Sequence, residues 1–294
     1  MTKSSDIPVI PSIDDLGSRY SAWLVDIWGV LHNGHQAHHG AVAATRSFRD
    51  KGGVVVLLSN APRPGPSVQE QIRRIGVPDD AYDAIVTSGD LTRHELGKHG
   101  AAKVFHLGPE RDRPIFEGLK VKLTDAEEAD LVVCTGLFDD ETETPADYAA
   151  RLSGLASREV PMICANPDHL VERGERLVWC AGALAALYEG QGGNVVYAGK
   201  PHAPIYQLAF DTVGKLAGRT VPRKEILAIG DGVMTDIAGA TGLGLGSVFV
   251  ASGLHAPGRG DNEEVAELLD ARHLAGLFAE AKGKPLAAIR TLVW

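Results

Sequence analysis

Five side chains in this 294-residue sequence have the chemistry to handle an anion and a cation together: Asp26, Ser59, Lys200, Asp231 and Asp236. Each lies at or just beyond the end of an apolar run. The runs are WLVDIWGVLHNG at 23–34, VVVLLSN at 54–60, VVYAGK at 195–200 and ILAIGDGVMTD at 226–236. A carboxylate delivered by a buried strand loses hydration unless it is paired or bound to a cation, so Asp26 calls for a partner. Taken alone, Asp26 reads equally well as an acid capping a turn, and Ser59 and Asn60 as ordinary turn formers. Taken together, a hydroxyl, an ammonium and three carboxylates are the groups that phosphate and metal chemistry require.

The elements around these residues explain how they can meet. In a parallel sheet wound with helices, strand ends converge on a crevice beyond the carboxyl edge. A short helix is expected within 10–20, with Ser12 as its N-cap ahead of Asp14 and Asp15. Helical spacing over 41–51 stops at Gly52 and Gly53 and is followed by a β-branched strand at 54–58. After the turn at 61–66 come a helix at 67–75 and a strand at 84–87. A second set follows: strands at 103–107, 129–134 and 161–165, and helices at 116–119, 145–154 and 180–189. Beyond Lys200, a helix runs to 216 with Pro201 and Pro204 near its start. A strand at 226–229, a helix at 236–240 with Thr235 as N-cap, a strand at 247–251 and a helix at 263–278 complete the chain. The expected architecture is α/β: a doubly wound parallel Rossmann-like core from residues 1–88 and 199–294, with an inserted α/β domain at 89–198.

The four runs, in this order, resemble the signature of the haloacid dehalogenase-like superfamily. The closer resemblance is to its class IIA branch with a large α/β cap, which includes nitrophenylphosphatase-like and sugar-phosphate phosphatases. It extends over about residues 8–254 and includes ICANPDHL and GKPHAPIY. It implies a phosphohydrolase in which Asp26 is the nucleophile, Ser59 and Asn60 bind the phosphate of the substrate, and Lys200 neutralises the transferring group. Asp26, Asp231 and Asp236, with the backbone carbonyl of Trp28, would hold Mg2+. For Asp236 the competing account is an acid favoured by a helix N-terminus; for Lys200 it is a solvated surface lysine. Asp168, in the loop Asn166-Pro167-Asp168-His169, would contact substrate or clamp the hinge, and a simple turn competes. Closure of the cap would exclude water and select substrate by size.

One position departs from the family. The phosphatase pattern places a second aspartate two residues after the nucleophile, as general acid and then base; here that residue is Trp28. Loss of such a group typically removes about 10²- to 10⁴-fold in rate, and a substrate with a good leaving group suffers least. Two alternatives follow: a phosphometabolite-binding pseudoenzyme that does not hydrolyse, and a metal-independent dehalogenase, whose relatives carry an aromatic residue here. The acid pair Asp231 and Asp236 weighs against the latter. The histidine-rich loop at 32–39 offers His32 as a surrogate acid, against the plainer account of an exposed polar loop. A zinc site from His35, His38 and His39 lacks helical spacing and an acid. Gly242, Gly244 and Gly246 follow a helix and precede a strand, the wrong order for a dinucleotide fingerprint.

Composition narrows the partners. A net charge of -9 lacks the footprint of nucleic-acid binding, and a phosphate site must rely on local cations, helix N-termini and metal. No window approaches the roughly 18 apolar residues that cross a bilayer, and the first sixteen residues hold no signal-peptide core, so a cytoplasmic protein is expected. Cys134, Cys164 and Cys180 lie in apolar sequence with no paired motif and read as buried reduced thiols. A small phosphorylated metabolite and, through the cap, a second copy of the chain are the expected partners.

Overall fold

The computed structural model describes residues 7–173, 176–251 and 269–294. Contacts divide the chain into two compact units. One comprises Met1–Ser59, Gln69–Val86 and Tyr206–Trp294; the other comprises Asn60–Val68 and Thr87–Ile205.

The first unit is built on a seven-stranded sheet. From edge to edge its strands are Val9–Ile10, Ala287–Ile289, Gly246–Val250, Ile226–Gly230, Ala22–Val25, Val54–Ser59 and Ala84–Thr87. The pairings from Val9–Ile10 through Val54–Ser59 are all parallel. The central strands are continuous apolar runs because helices cover both faces of such a sheet; all of Ala22–Val25 and Ile226–Gly230 is buried. In the helix His39–Asp50, Ala41, Val42, Ala44, Thr45 and Phe48 form the buried stripe. Phe48 stacks on Trp23 with centroids 4.1 Å apart and planes 7° apart.

The second unit carries its own parallel sheet of five strands, in the order Val195–Tyr197, Met162–Cys164, Leu131–Cys134, Lys103–Leu107, Lys122–Leu123. Its core gathers Leu107, Val132, Met162, Leu152, Leu184 and Tyr188 with Cys134 and Cys164. All three cysteines are free and buried, and desolvation raises each thiol, Cys134 and Cys180 to about 12, so they stay protonated packing groups.

Several local expectations shift. The residue at the N-cap of the first short helix, Asp14–Gly17, is Ile13; Ser12 instead bonds the Asp14 carboxylate. The helix expected at 116–119 is a 3-10 turn at Glu110–Phe116, holding Pro114. An unexpected helix, Ser88–Gly97, starts from a capping box in which Thr87 and Asp90 exchange hydrogen bonds. An antiparallel ribbon, Leu170–Arg173 with Arg176–Trp179, was equally unforeseen. The helix expected at 263–278 falls partly outside the described residues, as does the end of the resemblance at 252–254. Within them Ala271–Leu277 is helical, capped by Asp270, whose carboxylate accepts the Arg272 N–H. No helix among the described residues is long and apolar enough to cross a membrane.

Candidate active site

Three carboxylates of the first unit converge. Asp26 follows Ala22–Val25, and its own N–H donates to the Ile229 carbonyl at 2.8 Å, so the ladder extends one residue beyond the strand and fixes where the acid leaves it. Asp231 leaves the neighbouring strand Ile226–Gly230 at the corresponding end. Asp236 returns to the same place from the following turn. One ligand oxygen from each lies within 4.8 Å of the other two. Asp26 and Asp236 are buried, at 7% and 6% exposure, and Asp231 is half-buried. Anionic oxygens this close repel one another, and the repulsion grows away from bulk water. A hard divalent cation fits such an all-oxygen donor set, and Mg2+ in particular is bound through few carboxylates while keeping waters.

The turn that carries Asp236 differs from expectation. The helical segment begins as a π-type turn, Val233–Ile237, before the α-helix Ala238–Gly242, and the residue at its N-cap is Gly232, not Thr235. Asp236 closes the turn on itself by accepting the Gly232 N–H at 3.1 Å. The glycines flanking Asp231 make this possible: a Cβ at Gly230 would run into the Asp236 carboxyl group, and one at Gly232 into the Thr235 hydroxyl.

The loop after Asp26 is anchored by Ile27, Val30 and Leu31, all buried. Gly29, at φ +80°, lets it turn, and the Gly29 N–H donates to the His32 carbonyl at 2.9 Å. Trp28 is half-buried, and its ring meets His32 edge-on with centroids 5.2 Å apart. His32 is 2% exposed, not part of an exposed loop, and its Nδ1 accepts the Gly34 N–H at 2.9 Å. Burial, aided by His38, lowers its pKa to about 4, so near neutrality it is an uncharged imidazole rather than a proton donor of the imidazolium kind. His35 and His39 are exposed and His38 bonds the Val30 carbonyl; among the described residues the converging metal-type donors are the three aspartates, and these histidines are not with them.

Ser59 is the buried last residue of Val54–Ser59 in the first unit. In the second unit, Asn60 is a hub. Its Oδ1 accepts the Lys200 N–H at 2.7 Å and the Ser88 hydroxyl at 3.3 Å, while its Nδ2 donates to the Lys200 carbonyl at 3.2 Å and to Asp168 Oδ1 at 2.9 Å. The Asn60 side chain thus holds protein groups, and Asp168 is a clamp on it rather than a bare turn residue. Asp168 is itself steadied by its N–H on Asn166 Oδ1 at 3.0 Å. Lys200 is 3% exposed, which removes the reading of a solvated surface lysine. The backbone passes close here: a Cβ at Gly199 would crowd Ser88, Pro167 and Asn60, and one at Gly182 would meet the Pro167 and Asp168 carbonyls. These glycines, with Gly230, Gly232 and Ser88, were not singled out from the sequence. Only the spacing GDG around Asp231 carried a readable signal.

Comparison with known proteins gives a consistent answer. A family model described as haloacid dehalogenase-like hydrolase matches residues 23–122, and a related HAD-hydrolase-like model matches 197–274. A solved hydrolase of the haloacid dehalogenase-like family from Brucella suis 1330 is 45% identical, covering 97% of this chain and 100% of that one, with a TM-score of 0.84. Ribonucleotide monophosphatase NagD of Escherichia coli K12 is 28% identical over 79% of this chain and 87% of its own. The 5'-nucleotidase YutF of Bacillus subtilis 168 is 25% identical over 80% of this chain and 88% of its own.

Proposed function

The chain belongs to the haloacid dehalogenase-like hydrolase family, and from that premise we propose that it is a Mg2+-dependent phosphohydrolase acting on a small phosphorylated metabolite through Asp26. The observation that carries the reading is the convergence of Asp26, Asp231 and Asp236 within 4.8 Å. Relatives that dephosphorylate nucleotides and sugars support phosphoryl chemistry.

In this reading Asp231 and Asp236, with one oxygen of Asp26 and the Trp28 carbonyl, hold the ion. When bound, Mg2+ supplies positive charge that screens an anionic nucleophile from an anionic ester. The other Asp26 oxygen attacks phosphorus and becomes phosphorylated, and water then releases phosphate. The Ser59 hydroxyl donates to a phosphoryl oxygen, and the Lys200 ammonium offsets charge on the transferring group. Asn60 and Asp168 act on Lys200, holding its backbone and its surroundings in place. Residues 1–88 and 199–294 form the catalytic core, and 89–198 form a cap that selects substrate.

The test is phosphate release from a generic aryl phosphate with Mg2+. Turnover that is lost in EDTA and in Asp26→Asn supports the reading. Turnover unchanged in Asp26→Asn contradicts it, and halide release that persists in EDTA would favour dehalogenation instead.

A further inference from the structure

The residue that departs from the phosphatase pattern is built into its loop. Besides the edge-on contact with His32, the Trp28 ring lies against Gly34, where a Cβ would stand 2.6 Å from the indole; Gly34 also needs its φ of +91°. His32 in turn is bound to the same loop through Nδ1. The indole is therefore a packed part of the turn, in contact with both His32 and Gly34, two residues after Asp26. Its single polar group is an N–H that neither releases a proton to an alkoxide nor takes one from water under ordinary conditions.

Building on the hydrolase reading above, we infer that Trp28 restricts this site to phosphoryl donors whose leaving oxygen departs as a stable anion: acyl phosphates and phosphates of acidic phenols, rather than alkyl phosphates. In the first step the Asp26 oxygen forms a bond to phosphorus as the bond from phosphorus to the leaving oxygen breaks. The electron pair goes to the leaving group, which departs as carboxylate or phenolate and needs no proton. In the second step water attacks the aspartyl phosphate, the phosphoryl bond to Asp26 breaks, and both protons of the water leave with inorganic phosphate or to solvent, restoring the carboxylate. An alkyl phosphate fails at the first step because its alkoxide is too basic to leave unprotonated. A general acid contributes about 10²- to 10⁴-fold to such a step, so the discrimination is of that size. Trp28 gives the second step no proton acceptor either, so the first step is read before turnover, from phosphorylation of Asp26 or the initial burst of leaving group.

The experiment measures single-turnover rates with Mg2+ for acetyl phosphate, 4-nitrophenyl phosphate, phenyl phosphate and glycerol phosphate, each corrected for spontaneous hydrolysis. The wild type is expected to lose about 10²- to 10⁴-fold along this series as leaving-group basicity rises. Trp28→Asp is expected to flatten the dependence, and Trp28→Phe, which keeps the ring and the backbone carbonyl, to retain it. Glycerol phosphate reacting as fast as acetyl phosphate would overturn the inference while leaving the hydrolase reading intact. No reaction with any donor would overturn both.

Discussion

Asp236 packs directly against Gly230: the glycine ends the strand beside Asp26, and a Cβ on it would clash with the Asp236 carboxyl group. The absent side chain is thus what lets the third acid reach the other two. Gly230→Ala should displace Asp236 and weaken divalent-metal binding by about 10- to 100-fold, as loss of a supporting contact around a metal typically does. Calorimetric titration with Mn2+ or Mg2+ checks this, with circular dichroism confirming the fold. Unchanged affinity would show that Asp236 is not a ligand.

Asn60 joins residues far apart in the chain, and its amide satisfies both backbone groups of Lys200. Asn60→Ala leaves a buried N–H and a buried carbonyl without that partner, which costs about 1–3 kcal/mol. Chemical denaturation should show this loss, and phosphoryl transfer should fall as well. Asp168→Asn keeps an oxygen for the Asn60 amide and should cost less stability.

Gly34 combines a left-handed backbone with contact against Trp28. Gly34→Ala meets about 1–2 kcal/mol of backbone strain and must also push the indole aside. A lowered melting temperature with a shifted tryptophan fluorescence spectrum is expected. An unchanged spectrum would mean that the ring is not held by the loop.

How much of this was legible in the sequence depends on distance along the chain. Asp26, Ser59 and Asp231 could be placed at strand ends because a buried parallel strand is a continuous apolar run, and the first polar residue marks its exit. The relation between Gly230 and Asp236 was only hinted at, because a glycine records what it lacks and not what fills the space. Asn60 read as a turn former or a phosphate ligand and not as a hub, since its partners, Asp168 and Lys200, lie 108 and 140 positions away. His32 read as exposed because the residues after it, 33–36, are polar or glycine; its burial comes from Ile27, Val30 and Leu31 drawing the loop inward. The start of the helix Ser88–Gly97 is written locally in the capping-box spacing of Thr87 and Asp90.

Two groups of the second unit, the half-buried His106 and the buried Asp112, give opposite pH dependences. Burial, with Arg113, lowers His106 from 6.5 to about 4, while burial raises Asp112 from 3.8 to about 6 against Arg111, Arg63 and Thr135. His106 contributes stability that is complete above 6.5 and is lost as pH falls towards 4, because the unfolded chain binds the proton more tightly. Asp112 contributes stability that is complete below 3.8 and is lost as pH rises through about 6. The melting temperature of His106→Asn should therefore fall less than that of the wild type between about pH 7 and about pH 5, and Asp112→Asn should gain on the wild type as pH rises over the same span. Melting curves that run parallel for all three proteins would contradict both assignments.

Where the phosphoryl group goes tests the account most directly. Wild-type protein mixed with acetyl phosphate and Mg2+, quenched in acid and digested, should yield one peptide heavier by a single phosphoryl group, located on Asp26 by fragmentation. The modification should be absent without metal and absent in Asp26→Asn. Phosphate release with no phosphoryl group on Asp26, or with the group on another residue, would contradict the proposal that this carboxylate is the nucleophile.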